Sequence, residues 1–261
     1  MTAQASLWPT ALLARRSVVG RFRHPSLFLP DVVGPLLFTS VLWGSFARAN
    51  LLPGFPTVHS FLDFVVAGAV VVGVVFSATD VADDLGEDIR SGFFDRIAVS
   101  PTPRTAILLG RLAGAAVFAG FEALVIIAVL AAFGASVRGG VAAVAAVCVV
   151  AMVLALALGG LGANLALREG RAERTVALFV PFAFLLVFMS SAYFPRQAMD
   201  GWFRAVADWN PLSWIAEDLR HQTVTGFDLR TAGQALGMVT LLSALSVTSA
   251  VRAVRQRGRA R

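Results

Sequence analysis

The sequence predicts an all-helical, polytopic membrane protein with six transmembrane helices, and three observations carry that prediction. Of 261 residues, 57% are hydrophobic and only 15% charged, with a mean hydropathy of +0.75, beyond the range of soluble domains. A hydrocarbon core of ~30 Å needs about 20 apolar residues per helix, and a window of that length finds six runs. Arginines collect in alternate connections between the runs, as membrane orientation requires.

The runs lie near residues 30–49, 61–82, 107–133, 141–166, 175–194 and 234–254, so 30–254 reads as one transmembrane domain. Before it, in residues 1–29, "SLWPTALLARRSVVGRFRHPSLFLP" mixes Leu, Val and Phe with Arg15, Arg16, Arg21 and Arg23, the pattern of an amphipathic helix lying in the interface. Its arginines sit mid-segment with no apolar stretch between them and Pro25, which argues against a cleavable signal peptide. With the N-terminus in the cytoplasm, Arg48, Arg138, Arg196, Arg204, Arg220 and Arg230 fall outside, and the other 16 of 22 arginines fall inside. Both termini are therefore expected in the cytoplasm, with residues 255–261 as a basic tail. The net charge of +6 reads as topology and attraction to anionic lipid, because no soluble basic domain offers itself to nucleic acid.

All 22 basic residues are arginine. Without lysine the chain can build neither a Walker A loop nor a Schiff base, so any ATP must be bound by another chain. Cys148 is the single cysteine and lies in an apolar run, leaving no intrachain disulfide and no cysteine-based metal cluster. His24, His59 and His221 fall outside the runs, with no HExxH pattern and no paired intramembrane acids. An intramembrane enzyme is therefore not expected, nor a cofactor or metal held by this chain.

The densest charge lies in "ATDVADDLGEDIRSGFFDRIAVSPTPR", residues 78–104, between the second and third runs. Ile89, Phe93 and Ile97 recur every four residues with Phe94 beside them, while Glu87, Asp88, Arg90, Asp95 and Arg96 fill the remaining surface. That spacing predicts a short amphipathic helix, ended by Ser100-Pro101-Thr102-Pro103. Such a stripe is covered by lipid, by the protein's own core or by a partner. The acids Asp80, Asp83, Asp84, Glu87 and Asp88 sit badly against an anionic leaflet, so a protein partner is expected there.

The order of features in this region resembles type-2 ABC transporter permeases of the daunorubicin-resistance kind. In that family a span is followed by an acidic residue, a glycine, a short apolar-acidic-basic helix, a proline, an arginine and the next span. Glu87, Asp88, Gly92, Phe93, Phe94, Asp95, Arg96 and Ile97 match the acid-Gly-helix part, Pro101 or Pro103 with Arg104 the Pro-Arg part, and Gly110-Arg111 opens the following helix. Six spans, an amphipathic N-terminal helix and a long last external loop extend the resemblance over nearly the whole chain. It implies that residues 86–98, Ile89 included, form a coupling helix seated in a cleft of a separate ATPase subunit, which holds ATP and Mg. It also implies that the chain is half a transporter, completed by a second permease subunit, identical or not, in a bacterial plasma membrane. The implied activity is ATP-driven export, with a drug-like or lipid-like cargo and polysaccharide or lipid-linked glycan as alternatives. The uncharged spans favour an apolar or amphipathic cargo.

Two further features are candidates. The connection between the fifth and sixth runs carries Trp202, Trp209 and Trp214, three of the five tryptophans, at spacings that suit short helices at the outer membrane boundary. Its Asn210-Pro211 and Arg220 resemble the family's external "NP…R" element, which leaves open an aromatic belt with a turn or a substrate gate. Glu122 lies roughly 15 Å of helix past Arg111, near the midplane, where an acid is costly unless it faces the bundle interior. Gly110, Gly114, Ala116 and Gly120 mark the same helix as closely packed. A protonated Glu122 making a cross-helix hydrogen bond, contact with a polar or cationic cargo, and a proton-coupled secondary carrier are the readings of that acid. The carrier needs repeated halves, and the first three runs do not echo the last three.

Overall fold

The computed structural model describes residues 4–23, 25–52, 55–92 and 104–259, and among them every regular element is a helix. In chain order these are α1 (Gln4–Arg23), α2 (Pro25–Phe46), α3 (Phe61–Arg90), α4 (Arg104–Ala132), α5 (Gly140–Glu169), α6 (Ala172–Phe188), α7 (Gly201–Trp209), α8 (Pro211–Val224) and α9 (Leu229–Arg259). Short 3-10 turns at Ala49–Leu51 and Arg196–Ala198 interrupt the connections after α2 and α6.

The bundle is built around α3. Ser60 opens this helix with a capping box: its hydroxyl accepts from the Asp63 amide at 3.2 Å and the Asp63 carboxylate accepts from the Ser60 amide at 3.2 Å. The other carboxylate oxygen of Asp63 accepts from the Ser136 amide at 2.7 Å, so one buried acid fastens the α4–α5 connection to the start of α3. From Phe64 onward α3 is an almost unbroken run of Val, Ala and Gly, because α2, α4, α5, α6 and α8 all pack on it and no face is left for water. In its most apolar stretch 94% of residues are buried inside the protein, against 22% for α2 and 28% for α9, which places α3 at the centre and those two at the lipid-facing edge. α5 lies against α3, α4 and α9, and α8 tucks between α3, α5 and α9.

Among the described residues five helices are long and apolar enough to cross a bilayer: the stretches Leu29–Phe46, Phe61–Arg90, Thr105–Ala132, Gly140–Glu169 and Leu229–Gln256. α6, on the fifth run, has 17 residues, which at the ordinary rise spans only ~26 Å. The second run, expected to stop near residue 82, stays helical to Arg90 and takes Glu87, Asp88 and Ile89 into its own last turns. No separate helix starts at Glu87. The chain turns at Ser91 and Gly92, and Gly92 adopts φ +69°, the left-handed conformation that ends a helix without steric cost when no Cβ is present. Phe93, Phe94, Asp95, Arg96, Ile97, Pro101 and Pro103 lie outside the described residues.

α1 is held by α4. A Cβ on Gly110 would come within 2.6 Å of the Leu13 Cβ, and one on Gly114 within 2.7 Å of the Ser17 Cβ, so the first part of the small-residue stripe read from the sequence is the groove that receives α1, while Gly120 faces Met152 of α5. Gly110→Leu and Gly114→Leu are each expected to cost ~1–3 kcal/mol by overpacking, read as a lower thermal unfolding midpoint of the detergent-purified protein; a parental midpoint in both would show that α1 does not seat there.

Candidate functional site

Ionisable side chains gather at the two ends of α3, with one acid between. At the Arg90 end, Asp80, Asp84 and Asp88 recur every four residues and so form one stripe along the helix. Arg111 of α4 meets two of them, donating from Nε to the Asp88 carboxylate at 2.8 Å and from a terminal nitrogen to Asp84 at 2.7 Å. Arg21 of α1 is hydrogen-bonded to Asp80 and lies 4.0 Å from the buried carboxylate of Asp31 on α2. The Arg21 guanidinium also stacks over the Phe118 ring at 4.8 Å. Four of the five acids expected to face a partner protein are thus paired with arginines of the same chain, Asp80, Asp84 and Asp88 across helices and Glu87 with Arg90 of α3 at 2.6 Å. Asp83, Asp84 and Glu87 are exposed. A cavity of about 430 Å³ opens beside the paired acids, between Arg16 and Ser17 of α1, Asp84 and Asp88 of α3, and Ile107 and Arg111 of α4.

At the other end, about 30 Å away along α3, Arg220 and Asn210 close the backbone of α6. Helix α6 stops at Phe188, leaving its last carbonyls without helical donors. The Asn210 side-chain amide donates to the carbonyls of Leu186 at 2.6 Å and Met189 at 2.9 Å, while its oxygen accepts from the Leu212 amide at 2.9 Å and caps α8 ahead of Pro211. Arg220, fully inside the protein, donates to the carbonyls of Phe64 at 3.0 Å, Ser191 at 2.8 Å and Ala192 at 2.8 Å, with its guanidinium 3.6 Å over the Phe64 ring. The turn reading of Asn-Pro is what the geometry displays, and Arg220 is occupied by backbone on every side named. Beside it Arg196 pairs in bidentate fashion with Glu217, stacks over the Trp214 ring at 4.7 Å and reaches Asp208 at 3.5 Å. Burial and the neighbouring Glu217 push the Asp218 carboxyl up to about 6, with His221 pulling the other way. Trp202 and Trp209 on α7 and Trp214 on α8 all point outward, Trp209 with 90% of its surface exposed, which suits a membrane boundary or a partner.

Midway between the ends, Glu122 of α4 faces Ser77 of α3. The Ser77 hydroxyl donates to one carboxyl oxygen at 2.6 Å, and the other oxygen is buried without a partner among the described residues. A Cβ on Gly73 would stand 2.6 Å from that second oxygen, so the glycine is the space into which the acid fits. Glu122 is 1% exposed, and its hydrogen bond with Ser77 joins α4 to α3.

Sequence reasoning singled out Glu122, Asn210, Pro211, Arg220 and Arg111, but not Asp31, Asp63 or the pairing of Arg21. The four-residue spacing of Asp80, Asp84 and Asp88 was the available signal for the stripe. Nothing in the spacing indicated which arginines would answer it. Two comparisons bear on most of the chain. The family model described as ABC-2 type transporter matches residues 10–222. A daunorubicin resistance ABC transporter permease protein from Streptomyces coeruleorubidus is 28% identical over 218 residues, covering 80% of this chain and 74% of that protein.

The Glu122–Ser77 contact separates two substitutions. Glu122→Gln keeps an acceptor for the Ser77 hydroxyl and is expected to leave the yield of monodisperse protein within about twofold of the parent. Glu122→Leu removes the acceptor and sets a branched carbon against Gly73, at a cost of ~1–3 kcal/mol, and is expected to aggregate on extraction; size-exclusion chromatography of both variants decides, and equal profiles would mean that the contact contributes nothing to the bundle.

Proposed function

Given that the chain belongs to the ABC-2 type transporter family and is the membrane subunit of an ABC exporter, we propose that it carries a hydrophobic or amphipathic cargo. We also propose that it receives the energy of ATP through the connection between α3 and α4. Six spans with both termini in the cytoplasm put that connection on the cytoplasmic face, with α6 as the short fifth span. A second permease subunit completes the pathway, and ATP and Mg sit on a separate ATPase subunit. The drug-like cargo is supported by the similarity to a permease named for daunorubicin resistance.

One observation supports the coupling route above others: α1, α3 and α4 are tied to each other by charge along the part of α3 that leads into the connection. Arg111 holds Asp84 and Asp88, and Arg21 holds Asp80. A push delivered to residues 93–103 would therefore move these three helices together. α3 is a single 30-residue helix in close packing, so the displacement would travel along it to the Arg220 end without being absorbed in a break. In this mechanism Glu87, Asp88, Ile89 and Gly92 are the root of the lever. Phe93, Phe94, Asp95, Arg96 and Ile97 are the part a partner cleft would grip, with Phe93 and Ile97 as apolar anchors. ATP closes the ATPase pair, the gripped segment moves, and the two permease halves open outward.

Phe93→Ala and Ile97→Ala are expected to leave the permease inserted but to weaken ATPase binding by ~2–4 kcal/mol each, seen as loss of the ATPase in a pull-down and loss of efflux in the same membranes. Parental binding and efflux in both variants would reject the coupling assignment. Orientation has its own test. Single cysteines at Ser91, Ser136 and Thr225 in a Cys148→Ala background are expected to react with an impermeant thiol reagent added outside whole cells at 136 and 225 and not at 91; external labelling at 91 would reverse the topology and remove the connection from the cytoplasm.

A further inference from the structure

Helix α8 carries Asp218 and His221 three residues apart, and therefore on one face. That face meets the start of α9. The His221 Nδ1 lies 3.4 Å from the Thr231 hydroxyl, and Asp218 of α8 and Gln234 of α9 border a cavity of about 630 Å³ between the two helices. Gln222 fastens the joint beside them. Its amide nitrogen donates to the Thr231 hydroxyl at 2.6 Å and to the Asp228 carbonyl at 2.9 Å, and its oxygen accepts from the Asp228 amide at 3.0 Å. Asp228 in turn accepts from the amides of Thr231 at 3.0 Å and Arg230 at 3.3 Å at the first turn of α9. The other charges packed around α8 have partners elsewhere. Glu217 is bonded to Arg196, which also reaches Asp208 of α7. Arg220 is turned to backbone carbonyls, and Asp63 of α3 is held by Ser60 and Ser136. Arg138, on the connection between α4 and α5, meets α8 through its backbone amide, which donates to the Thr223 carbonyl at 2.9 Å.

His221 thus acts on two carboxylates of different elements, Asp218 in its own helix and Asp228 at the start of α9. Imidazole changes its charge between about pH 5 and 8. Neutral, the ring offers Thr231 a hydrogen bond and little more. Charged, it attracts both acids while Nδ1 donates to the Thr231 hydroxyl, whose own proton stays with the Asp228 carbonyl at 3.2 Å. We propose that the joint between α8 and α9 is an acid-tightened clasp, in which protonation of His221 and Asp218 holds the start of α9 more firmly against α8. Asp218 works in the same direction as the ring. Burial and the neighbouring Glu217 push its carboxyl up to about 6, so its ionised form destabilises the folded chain and that cost fades as pH falls through about 6. The amides that Asp228 accepts from hold its carboxyl below the usual range, so it keeps its charge and stays available to the imidazolium. With this end outside, as in the orientation proposed above, the external medium sets the state of the clasp.

The clasp belongs to the chain alone, so it is tested on the purified full chain in maltoside detergent with no ATPase and no cargo, and its failure leaves the exporter reading untouched. The parent is expected to unfold at a midpoint ~2 °C higher at about pH 5.5 than at about pH 7.5. Asp218→Asn stands in for the protonated acid and is expected to raise the midpoint at the higher pH toward the parent's acid value. His221→Gln keeps a hydrogen-bonding partner for Thr231 without the charge and is expected to lose part of the rise. The double variant is expected to lose most of it, and whatever rise is left belongs to groups elsewhere in the chain. An equal response to pH in the parent and the double variant overturns the proposal. If a variant fails to fold, amide hydrogen exchange in the parent decides. After correction for intrinsic rates, the first turns of α9 are expected to exchange about threefold more slowly relative to α5 at the lower pH. An unchanged ratio rejects the clasp.

Discussion

Inside a bilayer no water is present to answer an open carbonyl or a lone charge, and this constraint governs how α3 is surrounded. The helix is apolar on every side along its middle, where Val, Ala and Gly let five neighbours approach closely. Several polar groups on or near α3 are answered from elsewhere in the chain: Ser136 for Asp63, Ser77 for one oxygen of Glu122, Arg111 for Asp84 and Asp88, Arg21 for Asp80, and the Phe64 carbonyl for Arg220. Breaking one partner of a buried pair costs more than the pair contributes, since the survivor is left charged in a low-dielectric surrounding. These contacts therefore fix which helices must be neighbours, while the apolar packing supplies most of the stabilisation.

The apolar runs were readable from the sequence because lipid imposes a length and a composition together, and the helices found over them follow from that demand. The end of the second run was not readable in the same way. A hydropathy window counts Asp80, Asp83, Asp84, Glu87 and Asp88 as a stop, yet the helix continues through them to Arg90. The reason is tertiary: arginines 59 residues before Asp80 and 23 residues after Asp88 neutralise one face of the extension, leaving Asp83 and Glu87 for the water-facing side. The small-residue pattern at Gly110 and Gly114 foretold close packing but not its object, which is α1 and not another long span. Likewise "NP…R" was visible as a motif, whereas the role of Arg220 depends on carbonyls at positions 64, 191 and 192, which only the folded chain brings together.

Glu122 shows how a functional signal and a structural one can coincide. A midplane acid in a transporter invites a role in proton or cargo movement. Its surroundings argue for the quieter role: a serine donor at 2.6 Å, a glycine opposite that makes its space, and almost no exposed surface. Asp218 presents the opposite combination. It attracted no notice in the sequence, being one of three neighbouring charged residues in "AEDLR", yet it is half-buried beside open volume, where Glu217 raises and His221 lowers its affinity for a proton.

The two ends of α3 are held by different chemistry, and the difference matters for how the bundle could move. At the Arg90 end the links run between side chains, Arg111 to two aspartates and Arg21 to Asp80 with Asp31 nearby; such links can exchange partners along a stripe of acids spaced one turn apart with little loss. At the Arg220 end the links run from side chains to backbone carbonyls of α3 and of the segment following α6. A carbonyl's position is set by its helix, so those links cannot slide without unpicking the helix end they complete. A bundle built this way has a stiff end and an adjustable one. In the proposed mechanism the adjustable end is the one that meets the ATPase, where displacement is delivered. The stiff end carries α8 as a fixed wall against α3, and Gln222 of α8 in turn holds the start of α9 through the Thr231 hydroxyl and the Asp228 backbone.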